Sequence, residues 1–304
     1  MTDAVNSTSD LSNSVPFAAE SVPLPNTPRS EKAGFSLRKW GLIAFVVVYL
    51  SLILFIPAVN VFVQAFKGGF GPFWEAVTSR NFILAAKLTL LMAVTAVPLT
   101  TVFGLCAATA IANKNFRGRT LLVSIIDLPF AISPVVAGLM IVLLYGRNGW
   151  FGPLLEANDI RIIFAAPGMI LASAFVTMPF VAREVLPALE EMGTDQQEAA
   201  ETLGANRWQT FWRVTLPSIR WSLLYGVILC NARAMGEFGA VSVVSGNIAG
   251  KTQSLPLFVE EAYVQYNSEA AYAAAVVLAL LAVVTILFKH ILEARISHKR
   301  SRAH

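Results

Sequence analysis

Arg233 and Glu237 stand four residues apart in a stretch that runs from Asn231 through Gly236, Phe238 and Gly239 to Ala240 and is, after Asn231, otherwise apolar or small. On a continuous helix, residues four apart share a face, so the spacing predicts an ion pair. A charge at the centre of a bilayer costs about 3 kcal/mol on an insertion scale, so both groups must face protein or a water-filled path. Two kinds of chemistry fit. The pair can lock a helix bundle, or Arg233 can offer positive potential to an anion, with Asn231 and the more distant Ser133 as further polar candidates along a path. Gly236 and Gly239 leave the backbone bare for close packing.

A second pattern is polar. Glu198-Ala199-Ala200 is followed after three residues by Gly204, and after nine more by Val214, Thr215, Leu216 and Pro217. Thr194 with Gln197, and Asn206 with Gln209, have capping-box spacing, so helices are expected to start near Asp195 and Arg207. Gly204 can take the left-handed conformation that ends a helix. Trp208, Phe211, Trp212, Thr215 and Leu216 then recur at helical spacing as one apolar stripe, and Pro217 disfavours simple continuation. The expectation is helix, glycine turn, helix, with Ala199 and Ala200 small enough to let a partner approach. A hairpin lying on the membrane surface through Trp208 and Trp212 is the alternative.

The elements that must position these groups are membrane spans. Of the 304 residues 56% are hydrophobic and 14% charged, and the mean hydropathy is +0.62; soluble domains carry about 25% charged residues. Crossing ~30 Å of hydrocarbon takes roughly 20 helical residues. Six apolar runs meet that length, at about Gly41–Phe66, Phe82–Ala112, Leu121–Tyr145, Ile163–Ala182, Leu223–Ser245 and Ala270–His290. They do not alternate, which favours helices over a barrel. Prolines 57, 98, 129, 134, 167 and 179 predict kinks or breaks, and the Asp127–Pro129 and Ser133–Pro134 segments could divide the third run. The fold class is therefore all-α and polytopic, with about six transmembrane helices and a helix-turn-helix between the fourth and fifth.

Lysine and arginine other than Arg233 divide sixteen to six between the two sides. The larger set includes Arg38 and Lys39, Arg117 and Arg119, Arg207, Arg213 and Arg220, and the C-terminal Lys299 and Arg300; the smaller is Lys67, Arg80, Lys87, Arg147, Arg161 and Lys251. The positive-inside bias puts both termini and the hairpin in the cytoplasm. Residues 1–39 read as a disordered cytoplasmic tail rich in Ser, Asn, Pro and Thr, without the features of a secretory signal. Residues 40–292 form the spanning domain with the loop at 190–220, and 293–304 a basic tail.

Other chemistry finds little support. Gly250-Lys251-Thr252 invites a phosphate-loop reading, but the pattern needs glycine at position 245, where Ser245 stands. No His and Cys arrangement suggests a metal, no cofactor site is apparent, and His290, His298 and His304 sit at the C-terminal end. Cys106 and Cys230 fall within spans and read as small buried hydrophobes. A secondary transporter or membrane enzyme lacks a visible repeat or catalytic constellation.

The spaced Glu-Ala-Ala element resembles the loop by which permeases of ABC importers dock onto their ATPase, with Val214 where the family usually has Ile. Three further stretches, Asp127 to Gly138, Trp208 to Pro217 and Leu224 to Gly246, resemble the W-type permease subunits of sulfate and thiosulfate importers, and the likeness runs from about Trp40 to Leu292. The resemblance implies a non-enzymatic transport subunit in a bacterial inner membrane. Its implied partners are a T-type permease, two copies of an ABC ATPase and a periplasmic or extracellular sulfate-binding protein. Glu198, Ala199, Ala200, Gly204, Val214, Leu216 and Pro217 would couple to the ATPase. Beyond the lipid bilayer no other partner, and no nucleic acid, is implied. Permeases for molybdate, tungstate or phosphate are close alternatives.

Overall fold

The computed structural model describes residues 37–112 and 117–300. The N-terminal tail to residue 36, Lys114, Arg302 and His304 lie outside the described residues, as do the side chains of His290 and His298. Every element described is helical: α1 Leu37–Ala65, α2 Phe70–Thr78, α3 Arg80–Ala112, α4 Arg119–Ala131, α5 Pro134–Tyr145, α6 Gly152–Ala157, α7 Ala166–Met192, α8 Asp195–Thr202, α9 Arg207–Thr210, a π-helical turn at Phe211–Thr215, α10 Leu216–Met235, α11 Gly239–Ser245, α12 Leu255–Val264 and α13 Ser268–Arg300.

Among the described residues four helices are long and apolar enough to span unbroken: Trp40–Ala65, Arg80–Ala112, Ala166–Met192 and Ser268–Thr285. The six-span expectation holds only if two bent pairs each make one crossing. The third run, expected as Leu121–Tyr145, is two helices, α4 and α5, bent by 109°. Pro134 lacks an N–H and pushes Ser133 into extended backbone, φ −58°, ψ 134°, so the helix must restart there. The fifth, expected as Leu223–Ser245, breaks between α10 and α11 with a bend of 52°. The fourth begins at Ala166, later than expected, with Pro167 in its first turn, and runs on to Met192 through Pro179 and Pro187.

Small residues let the central helices close. A Cβ on Gly104 of α3 would lie 3.0 Å from the Ala182 nitrogen of α7, and one on Gly226 of α10 would lie 3.1 Å from the Val181 Cα. Val181, fully buried, is thus gripped from two sides by bare backbone. Thr89, Thr100 and Thr177 return their hydroxyls to carbonyls four residues back, at 3.0, 2.9 and 2.8 Å, which removes the cost of burying them in an apolar interior. Cys230 is buried with its Sγ 3.1 Å from Thr100 Oγ1, as a small core residue should be. Cys106, expected to be buried as well, is exposed on α3.

Candidate functional site

The hairpin follows the sequence in its turn and departs from it at both ends. Thr194 does not cap α8 through its side chain. Its backbone is already αR, at φ −100°, ψ −15°, rather than extended, so the hydroxyl cannot reach the first turn and the capping box with Gln197 is not made. The Thr194 carbonyl instead accepts the Gln197 and Glu198 N–H groups at 2.9 Å each. At the other end of α8, Gly204 has φ +90°. Its N–H donates to the Glu201 carbonyl and the Ala205 N–H to the Ala200 carbonyl, both at 3.0 Å, a Schellman closure. A Cβ on Gly204 would meet nothing within 4 Å. The glycine is required by its φ and not by space.

The second capping box is present: Asn206 Oδ1 accepts the Gln209 N–H at 2.8 Å, and Gln209 Oε1 accepts the Asn206 N–H at 3.0 Å. Pro217 does not end the helix that follows. The Leu216 N–H donates five residues back to the Phe211 carbonyl, and this π turn feeds into α10 with Pro217 in its first turn, where a missing N–H costs little. The expected stripe is also split. Thr215 is buried towards the bundle while Trp208 and Trp212 stand 69% and 51% exposed, edge to face at 5.7 Å. Leu203, at the hairpin tip, is 89% exposed. Glu198, Ala199 and Pro217 are exposed; Ala200, Val214 and Leu216 are half-buried. The hairpin therefore presents apolar and small groups outward from a backbone fixed by its own caps, which is what a docking element requires.

The second site lies at the break between α10 and α11. Arg233 Nη1 is 2.8 Å from Glu237 Oε2, an ion pair without the alignment of a hydrogen bond. The two residues do not share one helix, as their spacing suggested. α10 stops at Met235, and Glu237 lies in the break, its side chain fully buried, while that of Arg233 keeps 35% of its exposure. Glu237 Oε1 accepts the Ala240 N–H at 3.1 Å, so one buried carboxylate both holds the cation and ties down the first turn of α11. Asn231 is half-buried, its Nδ2 3.9 Å from the Met235 sulfur.

The two breaks meet. A Cβ on Gly239, at the start of α11, would lie 2.9 Å from the Pro134 Cβ at the start of α5; one on Gly138 of α5 would lie 2.6 Å from the Ala240 carbonyl oxygen. Ser133, exposed at the head of α5, is brought to the same junction by its neighbour Pro134 but makes no hydrogen bond to Arg233 or Glu237 among the described residues. Sequence reasoning missed Gly138 and Pro134 as partners of this site; a glycine one turn into a helix that opens on proline was the available signal. Among the described residues no group of three or more His, Cys, Asp or Glu could hold a metal.

Comparison with known proteins agrees with this architecture. Residues 100–298 match the family described as binding-protein-dependent transport system inner membrane component. The chain is 64% identical over 273 residues to the sulfate transport system permease protein CysW of Synechococcus elongatus, covering 90% of this chain and 95% of that one. It is 47% identical to the Escherichia coli CysW protein, covering 87% and 91%, and 41% identical to the Escherichia coli CysT protein, covering 77% and 85%. The fold is similar to a subunit of a bacterial ABC transporter that imports alginate, with a TM-score of 0.72 at 22% identity over 85% of this chain and 96% of that one. The chain belongs to the binding-protein-dependent transport system inner membrane component family, in the group that contains the CysW permeases.

Proposed function

We propose that the chain is the W-type permease subunit of an ATP-driven importer that carries sulfate, together with thiosulfate, into the cytoplasm. The observation that carries this reading is the meeting of two broken spans at Gly239 and Ala240, next to Glu237, which is buried in the break and paired with the cation Arg233. Counting from Leu223, Arg233 is about 15 Å up a helix rising 1.5 Å per residue, near the middle of a ~30 Å hydrocarbon layer. Broken helices and a mid-membrane charge are how transporters build anion sites. Sulfate as the anion is supported by relatives that are themselves named sulfate permeases.

The energetics call for a driven process. A dianion entering against an inside-negative potential costs about 4.6 kcal/mol per 100 mV, at about 2.3 for each charge. The chain has no phosphate loop, so ATP is hydrolysed by a separate ATPase docked on the hairpin, at Glu198, Ala199, Ala200 and Gly204 with Val214, Leu216 and Pro217. A T-type permease completes the path, in keeping with the CysT likeness. A binding protein delivers the anion, in keeping with the alginate transporter solved with its periplasmic protein. On this reading residues 1–39 and 293–304 are cytoplasmic tails, and the spanning domain is 40–292.

Proteoliposomes holding the whole complex test the reading directly. Uptake of labelled sulfate is expected to need ATP on the hairpin side and to be suppressed by unlabelled thiosulfate more strongly than by molybdate. Uptake without ATP would reject an ABC importer, and stronger suppression by molybdate would reassign the substrate. For the orientation, with Cys106 and Cys230 replaced by Ala, cysteine at Asn247 should react with an impermeant thiol reagent in intact cells and cysteine at Ala205 should not; the reverse pattern would invert the topology.

A further inference from the structure

The first turns of α3 and the loop after α11 enclose a groove of about 200 Å³ whose chemistry the transport reading leaves unused. Leu84, Leu88 and Leu91 line it at i, i+4 and i+7, one stripe down a spanning helix, with Lys87 within a turn of each. Lys251 faces it from the loop. Its place there is set by structure rather than by chance. Gly250, at φ +73°, lies against α3, with its Cβ position 3.7 Å from Asn81 Oδ1 and 3.8 Å from Leu84 Cδ1. The loop is anchored from inside by Thr252, whose hydroxyl donates to the Ser245 carbonyl at 2.7 Å and accepts the Ile248 N–H at 3.2 Å. Gln253, 3% exposed, holds it to Asn247 at 3.1 Å and to Glu261.

Both lysines are exposed, and neither forms an ion pair among the described residues. Acidic side chains are near but face another way: Glu75, Glu261 and Glu269 line the adjacent cavity, which shares only Gln253 with the groove. Two unneutralised cations beside an apolar stripe on a spanning helix match one ligand shape, a phosphate with a hydrocarbon tail.

We propose that this groove binds an acidic phospholipid, its phosphate between Lys87 and Lys251 and an acyl chain along Leu84, Leu88 and Leu91. A free oxyanion would use the lysines equally well but has nothing to lay against the leucines. On the orientation proposed above the lipid belongs to the outer leaflet, and only that detail rests on the transport reading.

The test is native mass spectrometry of the purified whole complex titrated separately with phosphatidylglycerol, phosphatidylcholine and sodium sulfate. Phosphatidylglycerol should bind the wild-type complex more tightly than phosphatidylcholine. The Lys87→Gln/Lys251→Gln variant should lose about thirtyfold of that affinity with phosphatidylcholine binding unchanged, and the Lys87→Arg/Lys251→Arg variant should keep it. Exposed positions make loss of folding an unimportant outcome, and co-purification of the partner subunits checks it. Unchanged phosphatidylglycerol affinity in the glutamine variant would overturn the proposal. So would displacement of the lipid by sulfate at concentrations that leave the glutamine variant's lipid in place, which would assign the lysines to the free anion.

Discussion

In the hairpin at 195–215 the backbone is held by short-range bonds and the large apolar side chains are left facing outward. At the junction of the two broken spans the arrangement is reversed. There the side chains are turned in, a carboxylate is sealed from solvent, and contacts between residues a hundred positions apart decide the geometry. Leu203, Trp208 and Trp212 stand exposed on a frame closed by Gly204 and by the Asn206–Gln209 box. Glu237, by contrast, has lost all solvent exposure and is bonded to Arg233 and to the Ala240 N–H. An exposed apolar surface can be specified locally, by the turn and caps of its own backbone. A site meant to hold charge inside a membrane has to be specified by packing, because any unpaired group there is expensive.

The largest effect should come from removing the cation. Arg233→Met strands Glu237, the fully buried partner, and breaking a buried pair costs about 3–5 kcal/mol. Assembled complex recovered from membranes should fall sharply, and fall less in Glu237→Gln, since Arg233 keeps partial access to water and the amide oxygen can still accept the Ala240 N–H. Equal losses in the two would mean that the pair is not sealed as described. Next is Gly138→Leu, where even a Cβ would lie 2.6 Å from the Ala240 carbonyl. Overpacking of about 1–3 kcal/mol should lower thermal stability and uptake together, and an unaffected melting temperature would show that the two breaks do not touch.

The hairpin should respond in another currency. Gly204→Asp puts a side chain at φ +90° with nothing to collide with, at a cost on the order of 1–3 kcal/mol. The expected result is normal insertion and an intact bundle, the strain being confined to the hairpin turn, with ATP hydrolysis no longer matched to uptake. Normal coupling in this variant would remove the docking role. Gly204→Asn should be milder, because asparagine tolerates the left-handed region better. If Gly204→Asp instead destabilised the whole bundle as Gly138→Leu does, the contrast between a locally and a globally specified site would fail.

The same contrast explains what could be read from the sequence. Gly204 and the Asn206–Gln209 box were legible because their chemistry acts within four residues. Thr194 misled because a capping residue works only from extended backbone, and the preceding chain delivers it already helical. Pro217 was legible too: the helix does not continue simply through it but changes from a π turn to α10, with Pro217 in the first turn of the new helix. The break after Met235 was hidden by its own spacing: Arg233 and Glu237 are four apart whether or not the helix continues, and the residues between and after them are apolar or small. Pro134 announced the other break. Nothing local announced that Gly138 and Gly239 would bring the two breaks together, since that depends on how α5 and α11 pack.

The central claim is that Arg233 serves the anion and not merely the bundle. The deciding measurement is ATP-dependent sulfate uptake, normalised to assembled complex, in wild type, Arg233→Met, Arg233→Lys and the double variant Arg233→Met/Glu237→Gln. A neutral pair should restore assembly, because no buried charge is left unpaired. Uptake per complex is predicted to stay low in the double variant and to be higher in Arg233→Lys than in Arg233→Met, since a positive charge counts for more than the planar fork towards a hydrated anion. Full recovery of uptake in the double variant would contradict the account and leave the pair as a structural lock.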